Sequence, residues 1–131
     1  MIMLDTHALV WWHDSSARLS TNARSAIAQE TQNGIVAVSA FSFWEIALLI
    51  EHRRLTLPTD LQAWMAAVEA AKHLRFIPVD NQIAVTSVRL PGGFHKDPAD
   101  RIIVATAMLL DIPIVTADRQ IRAYPHVRTI G

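Results

Sequence analysis

The chain has no cysteine among its 131 residues, which excludes disulfides and thiolate-bound zinc and suits a reducing cytosol. It also has no net charge. Twelve lysines and arginines offset twelve aspartates and glutamates, so no global field draws it toward nucleic acid. A polyanion must then be met by a local patch or through a bound cation. No apolar run approaches the roughly 18 residues needed to cross a bilayer. The opening residues, MIMLDTHALVWW, lack a basic leader and include Asp5, which argues against a signal peptide. No repeat, linker or low-complexity tract divides the chain. Residues 1–131 read as a single domain acting in the cytoplasm, with no membrane contact.

Apolar residues are abundant at 51%, while charged ones reach only 18%. That is more apolar surface than one small core requires, and it predicts a protein partner or a homodimer face. Short apolar runs alternate with helical patterns. Met1 to Leu4 reads as a strand stopped by Asp5, and 34–40 (GIVAVSA), 75–80 (RFIPVD), 112–118 (IPIVTAD) and VRTI as further strands. Helices are expected over 20–30, over 41–54, after Thr59 or Asp60 through 61–73, after Asp80, and from Pro98 to Leu110. Strands that are continuously apolar, rather than alternating, belong to a sheet covered on both faces. The expected fold is α/β: a three-layer sandwich around a mainly parallel sheet of four to five strands. In such sheets ligands bind beyond the carboxyl ends of the strands.

Several acids stand where acids are costly. Glu45 lies within FSFWEIALLI, a stretch with no polar face, and no lysine or arginine stands three or four residues away. An apolar-all-round helix is expected to be buried, and a buried unpaired carboxylate needs a proton, a distant partner or a cation. Asp5 and Asp118 follow apolar strands, where each also suits a cap or turn. In HKDPADRIIVATA, Asp97 fits the N-cap and Pro98 the first helical position. Asp100 falls on the face of Ile103, Val104 and Ala107. Asp80 occupies a comparable place with nothing further to recommend it and reads as structural. Two carboxylates about 4 Å apart repel by roughly 4 kcal/mol, so three or four ionised together need a divalent cation. Oxygen donors without cysteine or paired histidines favour Mg²⁺ or Mn²⁺, which suits phosphodiester hydrolysis.

The blocks MIMLDTHALVWW, VSAFSFWEIALL, HKDPADRIIVATA and IPIVTADRQI resemble, in order and over nearly the whole chain, the motifs of PIN-domain proteins. The likeness is specifically to the VapC-type toxins of bacterial toxin–antitoxin pairs. It implies a compact α/β/α domain acting as a Mg²⁺- or Mn²⁺-dependent endoribonuclease on an RNA substrate, restrained by a cognate antitoxin. Carried over by position, Asp5 and Asp100 ligate metal, and Glu45 ligates it or acts as a base toward water. Asp118 tunes the site or supports a second ion. Asp97 becomes a cap and at most an added ligand. Thr6 and Thr116 are placed to bond carboxylates or a phosphate, or are ordinary strand-end threonines. Lys96, Arg101, Arg119 and Arg122 stand beside the acids as candidate phosphate contacts, or as solvated helix-end charges. His7 and His95 lack paired ligand spacing and read as structural or substrate-orienting. Trp11, Trp12, Phe41, Phe43 and Trp44 read as core, with some of them available to a partner.

Two other readings stay open at this level. One is a non-catalytic RNA-binding or assembly domain of the same fold, against which the intact Asp5, Glu45 and Asp100 argue. The other is a phosphoryl-transfer domain of the haloacid-dehalogenase or receiver type. The first of these needs an aspartate where His7 stands, and the second a lysine that IPIVTAD does not contain.

Overall fold

The computed structural model describes residues 1–131. Five strands, β1 (Ile2–Leu4), β2 (Val36–Ser39), β3 (Leu74–Ile77), β4 (Ile114–Val115) and β5 (Thr129–Ile130), form one sheet in the order β3-β2-β1-β4-β5. Every pairing is parallel, with Leu4 opposite both Val38 and Val115. Seven helices complete the chain: α1 (Thr6–His13), α2 (Thr21–Asn33), α3 (Phe41–Glu51), α4 (Leu61–Glu69), α5 (Asn81–Val88), α6 (Pro98–Leu110) and α7 (Arg119–Ala123).

The period-2 geometry of the strands splits the core into two. Ile2, Leu4, Val36, Val38 and Val115 face one layer, where they meet Leu9 of α1, Ile27 of α2, Ile46 of α3, and Trp64 and Val68 of α4. Met3, Ala37 and Ile114 face the other, against Ile83 of α5, Ile103, Val104 and Ala107 of α6, and Ile121 of α7. Both faces are covered, which is why the strands carry no polar alternation. The expected three-layer sandwich and parallel sheet are the ones observed.

The differences have local causes. Residues 6–13 form a helix, which the apolar run after Asp5 does not announce, because Asp5 caps it through the Ala8 N–H at 2.9 Å. The helix after Asp60 ends at Glu69 rather than continuing to 73. His73 takes a left-handed φ of 67° there, turning the chain into β3. Of 112–118 only Ile114 and Val115 join the ladder, since Thr116 to Asp118 leave it to start α7. The strand expected at 75–80 ends at Ile77, and Asp80 caps α5 through Ile83 N–H at 2.8 Å.

Helix α3 departs most from expectation. Only Ser42 and Ile46 are fully buried along it, while Trp44 is 46% and Leu48 37% exposed. Its apolar residues exceed what the sheet can cover, so the surplus faces outward. Val85 and Val88 on α5 do the same at 55% and 76%.

The second core layer depends on Ile103, which is fully buried between the sheet and α5. Replacing Ile103 by Ala should lower the unfolding free energy by about 3 kcal/mol, through lost burial and the cavity left behind. Urea titration followed by circular dichroism should show the lower midpoint with an unchanged slope.

Candidate metal centre

The sheet order reverses direction between β1 and β4, and a crevice beyond the carboxyl ends of strands forms at such a switch. Asp5 follows β1 there and Thr116 follows β4. Their side chains meet: the Thr116 hydroxyl donates a short hydrogen bond to Asp5 Oδ2, while Asp5 Oδ1 accepts from Ala8 N–H. The Asp118 N–H in turn donates to Thr116 Oγ1 at 2.9 Å, so the end of β4 is tied to the end of β1 through one hydroxyl. Thr116 therefore takes the carboxylate-binding place expected of it. Thr6 does not. Buried beside α3, its hydroxyl donates to Ser42 Oγ at 3.1 Å and so links α1 to α3.

Helix α6 starts at the same edge. Asp97 Oδ1 accepts from Asp100 N–H at 2.9 Å, with Pro98 in the first turn, as the spacing predicts. The first turn of α6 is thereby locked and Asp100 turns inward. Ligand atoms of Asp100, Asp97 and Glu45 lie within 4.8 Å of one another, as do those of Asp100, Asp118 and His95. Asp100 belongs to both groups. Glu45 reaches it from α3, which packs across α6. The expected acids Glu45, Asp100 and Asp118 thus gather, Asp97 joins them, and Asp5 lies beside them at the switch point. Asp80 is exposed and belongs to neither group, in keeping with a purely capping role.

The electrostatics follow. Burial pushes the Asp5 carboxyl up, against the pull of its bonds to Thr116 and Ala8 and of His7. Asp100 is pushed up to about 8, first by burial, then by Asp97, Asp118, Glu45 and Asp5 in turn. Carboxylate atoms 4.8 Å apart repel by roughly 3 kcal/mol at an effective dielectric near 20. No lysine or arginine relieves this. The ion pairs of the chain are Met1 with Glu30 and Arg128 with Asp111, while the His95 imidazole lies 3.2 Å from Asp100. What partly offsets it is helix geometry, since Asp5, Asp97 and Asp118 each cap a helix whose positive end points into the cluster. A crowded set of oxygen donors, unpaired by any fixed cationic side chain, fits a divalent cation.

Two further expectations change. Arg101 is no free phosphate contact: its guanidinium donates to the carbonyls of Ser87 (2.7 Å), Val88 (3.1 Å), Phe94 (2.7 Å) and His95 (2.9 Å). It clamps α5 and the 91–96 loop onto α6. Lys96, Arg119 and Arg122 are exposed. His95 lies in the site although no spacing marked it, with Nε2 3.2 Å from Asp100 Oδ2. The nearest sequence signal is its place two residues before the cap Asp97. His7 is exposed and packs on Trp11 with ring centroids 5.8 Å apart.

A proton-linked consequence is open to measurement. An ordinary aspartate titrates near 3.8, so between that pH and about 8 folded, metal-free protein keeps a proton on Asp100 that the unfolded chain has released. The unfolded state binds fewer protons there, so this contribution is fully present below about pH 4 and is lost as pH rises through 8. In EDTA, wild-type stability should fall from about pH 5 to about pH 8.5 more steeply than that of Asp100→Asn. Urea midpoints across that range test it, and equal slopes would refute it.

Comparison with known proteins bears on the family and the fold. The sequence pattern of the PIN domain family matches residues 2–127. Ribonuclease VapC22 of Mycobacterium tuberculosis is 36% identical over 129 residues, covering 98% of this chain and 95% of that protein. Among solved structures, a toxin–antitoxin complex from Klebsiella pneumoniae contains a chain that superposes with a TM-score of 0.66 at 22% identity, covering 97% of this chain and 95% of its own. VapBC2 from Rickettsia felis, bound to a DNA fragment from its promoter, gives 0.69 at 16% identity, covering 98% and 97%. At those identities the two structures speak for the fold alone, and the fold is the same parallel-sheet sandwich. With the family pattern spanning the four acidic blocks and nearly the whole chain, this protein belongs to the PIN domain family.

Proposed function

We propose that this chain is an endoribonuclease that hydrolyses RNA phosphodiester bonds with Mg²⁺ or Mn²⁺, as the toxin of a toxin–antitoxin pair. The observation that carries the reading is the meeting of Glu45, Asp97 and Asp100 within 4.8 Å, beside Asp5 at the sheet's switch point, with no lysine or arginine paired to them. The likeness to a ribonuclease over 98% of the chain supports the reaction class.

Asp5, Asp100 and Glu45 would hold the ion, with Asp118 at the rim. A divalent cation supplies Lewis-acid polarisation of the phosphate and makes a water more acidic. The chain's own residues do the rest. Thr116 and Ala8 N–H keep the Asp5 carboxylate in one orientation, which limits its reorganisation during reaction. Half-buried Glu45, free of any ion pair, is placed to accept the proton released as water attacks phosphorus. Exposed Lys96 and Arg119 stand beside the site to meet flanking phosphates, giving the local basic contact that a neutral chain otherwise lacks.

The outward apolar residues Trp44, Leu48, Val85 and Val88 are the surfaces we assign to protein partners, a cognate antitoxin and a second copy of this chain. Likeness to a chain from a toxin–antitoxin complex supports the first of these. No helix is long and apolar enough to cross a membrane, and we place the action in the cytoplasm, where RNA is met.

The test is cleavage of a mixed cellular RNA pool by purified protein. Site-specific fragments should appear with Mg²⁺ or Mn²⁺ and vanish in EDTA. Asp5→Asn and Asp100→Asn should each lower the rate by at least about 100-fold, while the capping control Asp80→Asn should stay within about 2-fold of wild type. Folded, metal-loaded protein that cuts no RNA would favour a non-catalytic RNA-binding or assembly role instead.

A further inference from the structure

His95 lies in the metal centre by geometry alone. Its Nε2 is sealed from solvent and has no full hydrogen bond, yet lies 3.2 Å from Asp100 Oδ2. On the other side of the ring, Nδ1 accepts from the Asp97 N–H at 3.4 Å, which places the proton of a neutral imidazole on Nε2. The ring therefore presents an N–H toward the acid that both carboxylate groups share. Its backbone is equally constrained. Arg101 holds the carbonyls of Phe94 and His95 from within α6, and the Phe94 ring packs against the imidazole with centroids 4.3 Å apart.

These contacts close a circuit. Asp97 donates its N–H to His95 and accepts the N–H of Asp100, while His95 turns its own N–H to Asp100. A buried donor without a full partner is a cost that a protein keeps only for a reason, and here it faces the one carboxylate common to both donor groups. We propose that His95 is a positioning residue of the metal centre: through Nε2–H it orients the Asp100 carboxylate to receive the cation. Loss of a partner that orients a metal ligand in this way typically weakens metal binding about 10- to 100-fold. Arg101 supports the same task one step further out by fixing the loop that carries His95. The inference rests on the metal centre proposed above.

Two variants separate this role from simple packing. Phenylalanine keeps the ring against Phe94 and loses the donor. Glutamine loses the ring and keeps an N–H near the place of Nε2. Mn²⁺ binding is read by electron paramagnetic resonance and calorimetry, on full-length protein whose thermal unfolding in EDTA confirms that each variant folds. The dissociation constant for Mn²⁺ should rise about 10- to 100-fold in His95→Phe and stay within about 3-fold of wild type in His95→Gln. The reverse pattern, unchanged affinity in both variants, or equal loss in both would overturn the positioning role. So would nitrogen hyperfine coupling from a directly bound imidazole in the wild-type Mn²⁺ spectrum. Wild-type protein that binds no Mn²⁺ would instead bring down the metal centre itself, and this inference with it.

Discussion

The hydroxyl of Thr116 joins the two halves of this molecule. It donates to Asp5 at the end of β1 and accepts from the backbone of Asp118 after β4, where the order of the sheet reverses. Parallel strands cannot be joined by a tight turn, so the chain returns through helices, and helix N-termini accumulate at one edge of the sheet. The crevice at that edge is a product of connectivity. The buried Asp5 is tolerable there because two hydrogen bonds and a helix dipole meet it, and the rest of the site is assembled around that fixed carboxylate.

The same acids serve structure and site at once. Asp5, Asp97 and Asp118 cap α1, α6 and α7, and each cap satisfies backbone N–H groups that would otherwise be orphaned. Burial first, and then for Asp100 the neighbouring carboxylates, raises the pKa values of Asp5 and Asp100, and the cluster is left deficient in positive charge. Local folding preferences therefore build an electrostatic problem that a cation or a proton must resolve. In the proposed metal centre protons and the cation would compete for Asp100, which would link its affinity to pH through one residue.

The side chains around the cluster divide the work. Arg101 donates from all three guanidinium nitrogens to four backbone carbonyls and so behaves as a rivet between α5, α6 and the loop ahead of α6. Lys96 and Arg119 stay exposed and are the residues we propose for phosphate contact. The outward Trp44 and Leu48 sit on the helix that delivers Glu45, which places exposed apolar surface and an acid of the cluster on a single element. A partner seated on α3 thus lies close to the site it would regulate.

Taken alone, the sequence determined the layered parallel architecture, because uninterrupted apolar strands between helical patterns admit few other arrangements. It also marked Glu45, Asp97 and Asp100, since caps and unpaired acids obey local rules legible within a few residues. Asp80 and Asp118 look alike at that level, each a cap after an apolar strand. The motif resemblance separates them, and the strand order gives the physical reason, bringing the end of β4 beside β1 and leaving β3 at the sheet's edge. The tasks of Arg101 and Thr6 were likewise tertiary decisions. Their partners Ser87 and Ser42 lie on other elements, and no spacing rule reaches across a fold. The half-exposed α3 has the same cause: apolar composition says that a helix prefers to be covered, while the available sheet area decides how much of it one chain can cover.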